Sequence, residues 1–232
     1  AADGCGGGTV VDEEWPARGA IEMRNLRVRY RHDLPEVIKG ITASLAPGSK
    51  VGVVGRTGSG KSSLLLALSR LNEVCGGRVL IDGVDVSLLP LTRLRRAIAV
   101  IPQEPVLFSG DVRFNLDPFQ EFDDSLLWAA LDAVRLGTFV REQGAGLQAP
   151  VQAGGSTWSV GQRQLLSIAR ALLHQRRVVL LDEATASVDF ESDRAIQAML
   201  RGGHEKQASI ADAKEIDEGE NEIMGSAALQ PM

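Results

Sequence analysis

Residues Gly55-Arg56-Thr57-Gly58-Ser59-Gly60-Lys61-Ser62 fit the spacing GxxxxGK[ST], and the chemistry of that spacing is the cradling of phosphate groups. Glycines are needed because the loop must wrap its backbone N–H groups around phosphate oxygens, where a Cβ would clash or forbid positive φ. A helix opening at Lys61 would add aligned donors and about half a positive charge. Lys61 itself brings a full charge to the β- and γ-phosphates, and Ser62 offers a hydroxyl to Mg²⁺. Lys61 is one of three lysines before residue 203, in a chain that otherwise uses Arg, which strengthens the phosphate reading. The plain alternative is a Gly-rich turn, and the apolar run before the loop and the helical pattern after it argue against that.

Further along, Val178-Val179-Leu180-Leu181 runs into Asp182-Glu183. Asp182 is suited to hold Mg²⁺ through water, and Glu183 to orient or deprotonate an attacking water. Two acids after a strand could be a solvated turn, but a phosphate loop about 120 residues upstream makes them its natural complement. Ser159-Val160-Gly161-Gln162 opens another helical pattern, with Leu165, Ile168, Ala169 and Leu172 at i, i+3, i+4, i+7. A Ser cap and an unobstructed glycine make a second anion site, a weak signal alone because most helices start with such a cap.

The elements that must position these residues alternate between strand and helix. Two β-like runs, Ile21 to Tyr30 and Val37 to Leu45, precede the loop; in the first, Leu26, Val28 and Tyr30 alternate with Arg27, Arg29 and Arg31. Lys50 to Val54 is a short apolar strand, and Lys61 to Leu71 a helix with Leu64, Leu65 and Leu68 on one side. Strand, glycine loop and helix in that order start an α/β unit. Arg78 to Asp82 is a further strand ending in the turn Asp82-Gly83, and Asp111 to Gln175 reads mainly helical. Val178 to Leu181, four apolar residues in a row, reads as a strand buried on both faces of a parallel sheet, whose carboxyl end faces a ligand crevice.

At 232 residues and 44% apolar, the composition is that of one globular domain and excludes collagen-like, disulfide-built and disordered chains. The net charge of −5 gives no footprint for nucleic acid, and all of it lies in residues 203–232, with seven acids against two bases. Cys5 and Cys75 have no metal or disulfide spacing. No run reaches the roughly 18 apolar residues of a spanning helix, and the opening residues lack the regions of a signal peptide, so the chain by itself is expected to stay in water.

The segments GRTGSGKSS (55–63), IPQEPVLFSG (101–110), WSVGQRQLLSIARALL (158–173) and VVLLDEATASVD (178–189), with the opening WPARGAIEMRNLRVRYRHDLPEVIKGI, carry a resemblance over about residues 15–200. Together they resemble the ATP-binding domain of ABC transporters, and more narrowly the second nucleotide-binding domain of the multidrug-resistance-associated (C) subfamily. The resemblance implies an α/β P-loop NTPase fold. Its RecA-like parallel sheet holds residues 50–102 and 178–190, with an antiparallel β subdomain near the N-terminus and a helical ABC subdomain within 104–176. The organisation expected is a Gly-rich linker over 1–14, the ATP-binding domain over 15–202, and an acidic, divergent or truncated tail over 203–232.

By the same resemblance, ATP is held by Gly55, Arg56, Thr57, Gly58, Ser59, Gly60, Lys61, Ser62 and Ser63, with Tyr30 stacked on adenine, an interaction typically worth about 1–3 kcal/mol. The metal ligands are Ser62, Gln103 and Asp182, and the catalytic residues are Glu183 and Gln103, the latter also coupling to the membrane domain. Ser159, Gly161 and Gln162, in the signature beginning at Trp158, close on the γ-phosphate of an ATP held by a second nucleotide-binding domain in a head-to-tail pair, and Asp189 communicates across that interface. Transmembrane domains of the same transporter complete the partners, at the cytoplasmic face of a membrane.

Two departures stand out. Trp158 replaces the signature's usual leucine, which is expected to be tolerated because Ser159 and Gly161 make the phosphate contacts. The family's switch histidine, some thirty residues past Asp182, is missing; Ser209-Ile210-Ala211-Asp212 is the nearest remnant and puts Asp212 there, while an ungapped count puts Lys214 there. His204 lacks the strand context. The expected function is therefore an ATPase domain powering export, with a hydrolysis-impaired, ATP-binding regulatory module as the alternative. DNA-repair relatives are disfavoured because no long coiled coil separates the two Walker motifs.

Overall fold

The computed structural model describes residues 11–12, 14–182 and 208–212. The chain opens with strands β1 (Ile21–Val28), β2 (Ile38–Leu45) and β3 (Lys50–Val53), helix α1 (Lys61–Leu68), and strands β4 (Val74–Ile81) and β5 (Val84–Asp85). Helix α2 (Leu91–Ala97) leads into β6 (Ile98–Ile101), then β7 (Gly110–Asp111) and helices α3 (Val112–Leu116), α4 (Asp124–Ala133) and α5 (Gly137–Glu142). Strand β8 (Pro150–Val151), helix α6 (Val160–His174), β9 (Val178–Leu181) and β10 (Ala208–Asp212) complete the described elements. They divide into two compact units, one with the described residues up to Ala99, Arg177–Leu180 and β10, the other with Val100–Arg176, Leu181 and Asp182.

The first unit contains the expected antiparallel β subdomain, a sheet of order β2–β1–β4–β5. Burial in β1 changes parity midway, from Ile21 and Met23 to Leu26 and Val28. The cause is a bulge at Arg24-Asn25, where Asn25 takes φ 48 and the register with both neighbouring strands shifts. Gly77 in β4 makes the bulge possible: it sits at φ 71, and a Cβ there would come 2.1 Å from the Asn25 carbonyl oxygen. Strand β4 therefore reaches back to Val74, four residues before the start expected at Arg78.

A second sheet has the order β3–β10–β9–β6, and β10 runs parallel to β3 with Ser209 opposite Lys50 and Asp212 opposite Val53. The apolar run 178–181 is buried throughout, as a strand covered on both faces should be. Val178 and Leu180 join Leu64, Leu65 and Leu68 of α1 and Leu26 and Val28 of β1 in the core of the first unit. Trp15 is anchored in the same core, its indole N–H donating to the Ile81 carbonyl at 2.9 Å. Beside it, the Asp82 carboxylate accepts from the N–H groups of Arg18, Gly19 and Ala20 at 2.8, 3.0 and 2.8 Å. Burial alone would raise its pKa, but those three donors and the Arg18 charge outweigh burial and hold it below the ordinary aspartate value.

The second unit is helical, with α4 and α3 packed on α6. Its polar centre is Asn115, buried, whose side-chain amide donates to the carbonyls of Phe108 and Asp111 at 2.9 Å each and whose Oδ1 accepts from Phe108 N–H at 2.8 Å. Arg170 of α6 donates to the Asn115 carbonyl, to Asn115 Oδ1 at 2.8 Å and to the Val106 carbonyl at 3.1 Å. Burial pulls its pKa down to about 10, still far above neutrality, so the guanidinium stays charged and ties α6 to the 106–115 segment.

Candidate functional site

In the first unit, β3 ends at Val53 and the glycine loop carries the chain exposed to Ser59 before α1 begins. Ser59 N–H donates to the Arg56 carbonyl at 3.0 Å, closing a tight turn inside the loop. Gly58 stands at φ 80 and Gly60, the N-cap of α1, at φ 98 and ψ 10. Those values are the physical reason for glycine in the pattern, since an L side chain is strained there. At Gly60 space is also short: a Cβ would lie 3.2 Å from Val37 Cγ1.

Among the described residues no side chain caps α1, and its first turn contains no acid. A helix start built this way offers its amino end to an external anion. The Lys61 ammonium folds back to donate to the Gly55 carbonyl at 2.9 Å, which concentrates positive charge at the loop. Ser62 is exposed, whereas Ser63 is buried and its Oγ lies 2.7 Å from Tyr30 Oη. Tyr30 is 52% exposed and lies beyond the end of β1, which stops at Val28. The alternation that reads Tyr30 as a third inward residue fails there. Its hydroxyl is tethered to α1 while much of the side chain remains accessible.

In the second unit, Asp182 directly follows β9, and its N–H donates to the Ile101 carbonyl at 3.0 Å. Gln103 is exposed two residues past β6. Ser159 is the N-cap of α6, as expected, and forms a reciprocal box: its Oγ accepts from Gln162 N–H at 3.1 Å and Gln162 Oε1 accepts from Ser159 N–H at 2.8 Å. Trp158 is buried and meets Phe139 edge-on, ring centres 5.2 Å apart, so the bulkier residue fills an apolar place behind the cap. Arg163 fixes that corner by donating to the Trp158 carbonyl at 3.0 Å and the Gly155 carbonyl at 3.3 Å.

Among the described residues, no group of three His, Cys, Asp or Glu side chains could hold a metal by itself. Taken each in its own unit, the exposed hydroxyl of Ser62 and the carboxylate of Asp182 are oxygen donors of the kind a hard cation takes when it arrives with phosphate oxygens and waters. Glu183, Asp189, His204 and Lys214 lie outside the described residues, as do the linker 1–10 and most of the acidic tail. Gln164 is a residue that sequence reasoning passes over: it looks like an ordinary helix position beside Arg163, yet it is 1% exposed and its Nε2 donates to the Pro102 carbonyl at 3.2 Å. No helix among the described residues is long and apolar enough to cross a membrane.

The sequence profile of the family described as ABC transporter matches residues 38–186. The chain is 50% identical over 189 residues to ATP-binding cassette sub-family C member 3 of Mus musculus, covering 82% of this chain and 12% of that protein. It is 49% identical over 188 residues to ATP-binding cassette sub-family C member 2 of Rattus norvegicus and 50% identical over 187 residues to ABC transporter C family member 13 of Oryza sativa subsp. japonica. Each of these covers 81% of this chain and 12% of the relative's length. A solved bacterial Atm1-family ABC exporter with ATP bound superposes with a TM-score of 0.80 at 29% identity, over 84% of this chain and 35% of that one.

Proposed function

Since this chain belongs to the ABC transporter family, as its ATP-binding domain, we propose that it binds Mg·ATP at residues 55–63 and hydrolyses it when paired with a second such domain. The cycle of pairing and separation then drives export by transmembrane segments of the same transporter. The observation that carries this reading is the glycine-capped start of α1, with two backbone positions at positive φ and the Lys61 ammonium turned onto the loop.

Each residue has a task that follows from its chemistry. The loop amides and Lys61 bind the phosphates and fix them in line. Tyr30 offers its exposed ring to the base while its hydroxyl stays on Ser63. Mg²⁺, when bound, neutralises phosphate charge, and Ser62 and Asp182 are the residues to hold it. Gln103 and Glu183 place the attacking water, with Glu183 taking its proton. Ser159, Gly161 and Gln162 complete the site of a partner domain. Val106 and Phe108, large, apolar and exposed just past Gln103, support contact with the transmembrane segments.

Calorimetry with Mg·ATP tests the first step. The wild type is expected to release heat on binding, and Lys61→Ala to weaken affinity by at least tenfold, the loss of one charge-assisted contact. Equal affinities would refute the site.

The register of β10 favours a second reading, a module that clamps ATP and hydrolyses it slowly. Asp212 stands opposite Val53, at the end of the strand that feeds the phosphate loop, where the family's switch histidine is expected. An acid in that histidine's place would repel the γ-phosphate, by roughly 4 kcal/mol if the charges stood about 4 Å apart at an effective dielectric of 20. Single-turnover hydrolysis of Asp212→His decides: a rate well above wild type supports the slow module, an unchanged rate the working ATPase.

A further inference from the structure

Two consecutive carbonyls lie at the root of the Gln103 loop, and each is held from a different element of the second unit. The Ile101 carbonyl accepts the Asp182 N–H at 3.0 Å, and the Pro102 carbonyl accepts Gln164 Nε2–H at 3.2 Å. Gln103 is the next residue, with its side chain exposed. The root is thus pinned to the end of β9 and to α6, and the residue it carries is exposed.

The Gln164 side chain has a second property. It is 1% exposed, and its Oε1 is buried with no hydrogen-bond partner among the described residues. The amide cannot be turned round to cure this, because the Pro102 carbonyl accepts only from the nitrogen end. A buried amide with one end unpaired offsets much of what its single hydrogen bond contributes, so Gln164 is at most a modest source of stability. A polar residue at such a place calls for an explanation other than stability.

We infer that Gln164 is a positioning residue that couples the start of α6 to Gln103, so that engagement of Ser159–Gln162 by a partner's nucleotide is passed to the water-orienting glutamine. The inference rests on the proposed role of Gln103. The geometry supplies the path: Gln164 lies five residues past the Ser159 cap, about one and a half helical turns along a helix that moves as a rod. A displacement or rotation of that helix pulls on the Pro102 carbonyl. An apolar residue in place of Gln164 would leave α6 packed and remove one of the two ties at the root of the Gln103 loop, loosening the placement of Gln103.

The test uses the whole 232-residue chain with Gln164→Leu and, as a less branched second variant, Gln164→Met. Thermal midpoints are expected within a few degrees of wild type, and hydrogen exchange at Gln103 and Glu104 is expected to quicken while that in α6 and β9 stays put. Mg·ATP hydrolysis is expected to fall about tenfold in kcat with KM little altered, the kind of loss that misplacing a reacting group brings. In a Gln103→Ala background, Gln164→Leu should add no further loss, because both act through one group.

Exchange at Gln103 unchanged in both variants would overturn the inference, as would full additivity of the two substitutions. A large fall in midpoint in both variants would also overturn it, making Gln164 a structural residue. If exchange quickens but Gln103→Ala hydrolyses like wild type, the water-orienting role of Gln103 falls, and the transmission inferred here falls with it.

Discussion

Helices α1 and α6 both begin where a phosphate is expected, and they begin in opposite ways. The first starts on Gly60 in the left-handed region, with no side-chain cap. The second starts on Ser159 in extended backbone, with a reciprocal box between Ser159 and Gln162. A box satisfies two end groups internally, so a phosphate that engages α6 competes with the protein's own side chains. The glycine start leaves that place to the ligand. On the proposed function, the difference would set an order of events: nucleotide held first at α1, with the box at α6 yielding its end groups only to a phosphate presented from a partner.

The largest effect that probes this comparison is expected from Glu183→Gln, which leaves the α1 site for binding but removes its proposed base. Single-turnover hydrolysis should drop by about 10²–10⁴. A smaller loss would mean that the site clamps rather than cleaves. Next comes Gly60→Ala, which forces an L residue to φ 98 against Val37. Backbone strain of about 1–3 kcal/mol should appear as weaker Mg·ATP binding by calorimetry, and a neutral result would break the case for a glycine-dependent cradle.

A control lies away from both helix starts. Asp82→Ala removes the acceptor of three backbone N–H groups and should cost about 1–2 kcal/mol in urea unfolding, a value that allows for its partial solvent exposure. Because its folded pKa is depressed, this contribution is complete above the ordinary aspartate range near pH 4 and is lost as the pH falls through the lower folded value. Nucleotide affinity should not follow it. Ser159→Ala is the smallest expected effect, about 1 kcal/mol of stability from one lost cap. A change of Mg·ATP affinity in the isolated domain on Ser159→Ala would erase the distinction between the two helices.

The parts of the fold legible in the sequence are those that local chemistry dictates. The glycine spacing of 55–62, the Ser159 cap and the four apolar residues of β9 each specify their own backbone, and all three stand as read. The parts read poorly are set by partners distant in the chain. Strand β4 runs back through Cys75-Gly76-Gly77 because it matches the bulge in β1, which no local pattern in residues 74–77 announces. Helix α1 stops at Leu68, three residues short of the apolar pattern, because Arg70 takes φ 50 and Leu71 N–H turns back to the Leu66 carbonyl. Tyr30 continues an alternation that its strand does not. Gln164 was invisible because its role depends on a carbonyl sixty-two residues away.

The insertion of β10 between β3 and β9 has a consequence for how this molecule is made. Synthesis starts at the amino end, so β3 emerges long before the neighbour that completes its hydrogen-bond ladder. Until residues 208–212 arrive, the strand feeding the phosphate loop lacks the neighbour it has among the described strands, and that edge is open to pairing with other nascent chains. Its closing step joins segments separated by more than half the sequence, the slow, non-local kind of contact that sets folding rates in parallel sheets. Completion of the strand that feeds the phosphate loop is therefore tied to a segment that is made long after it.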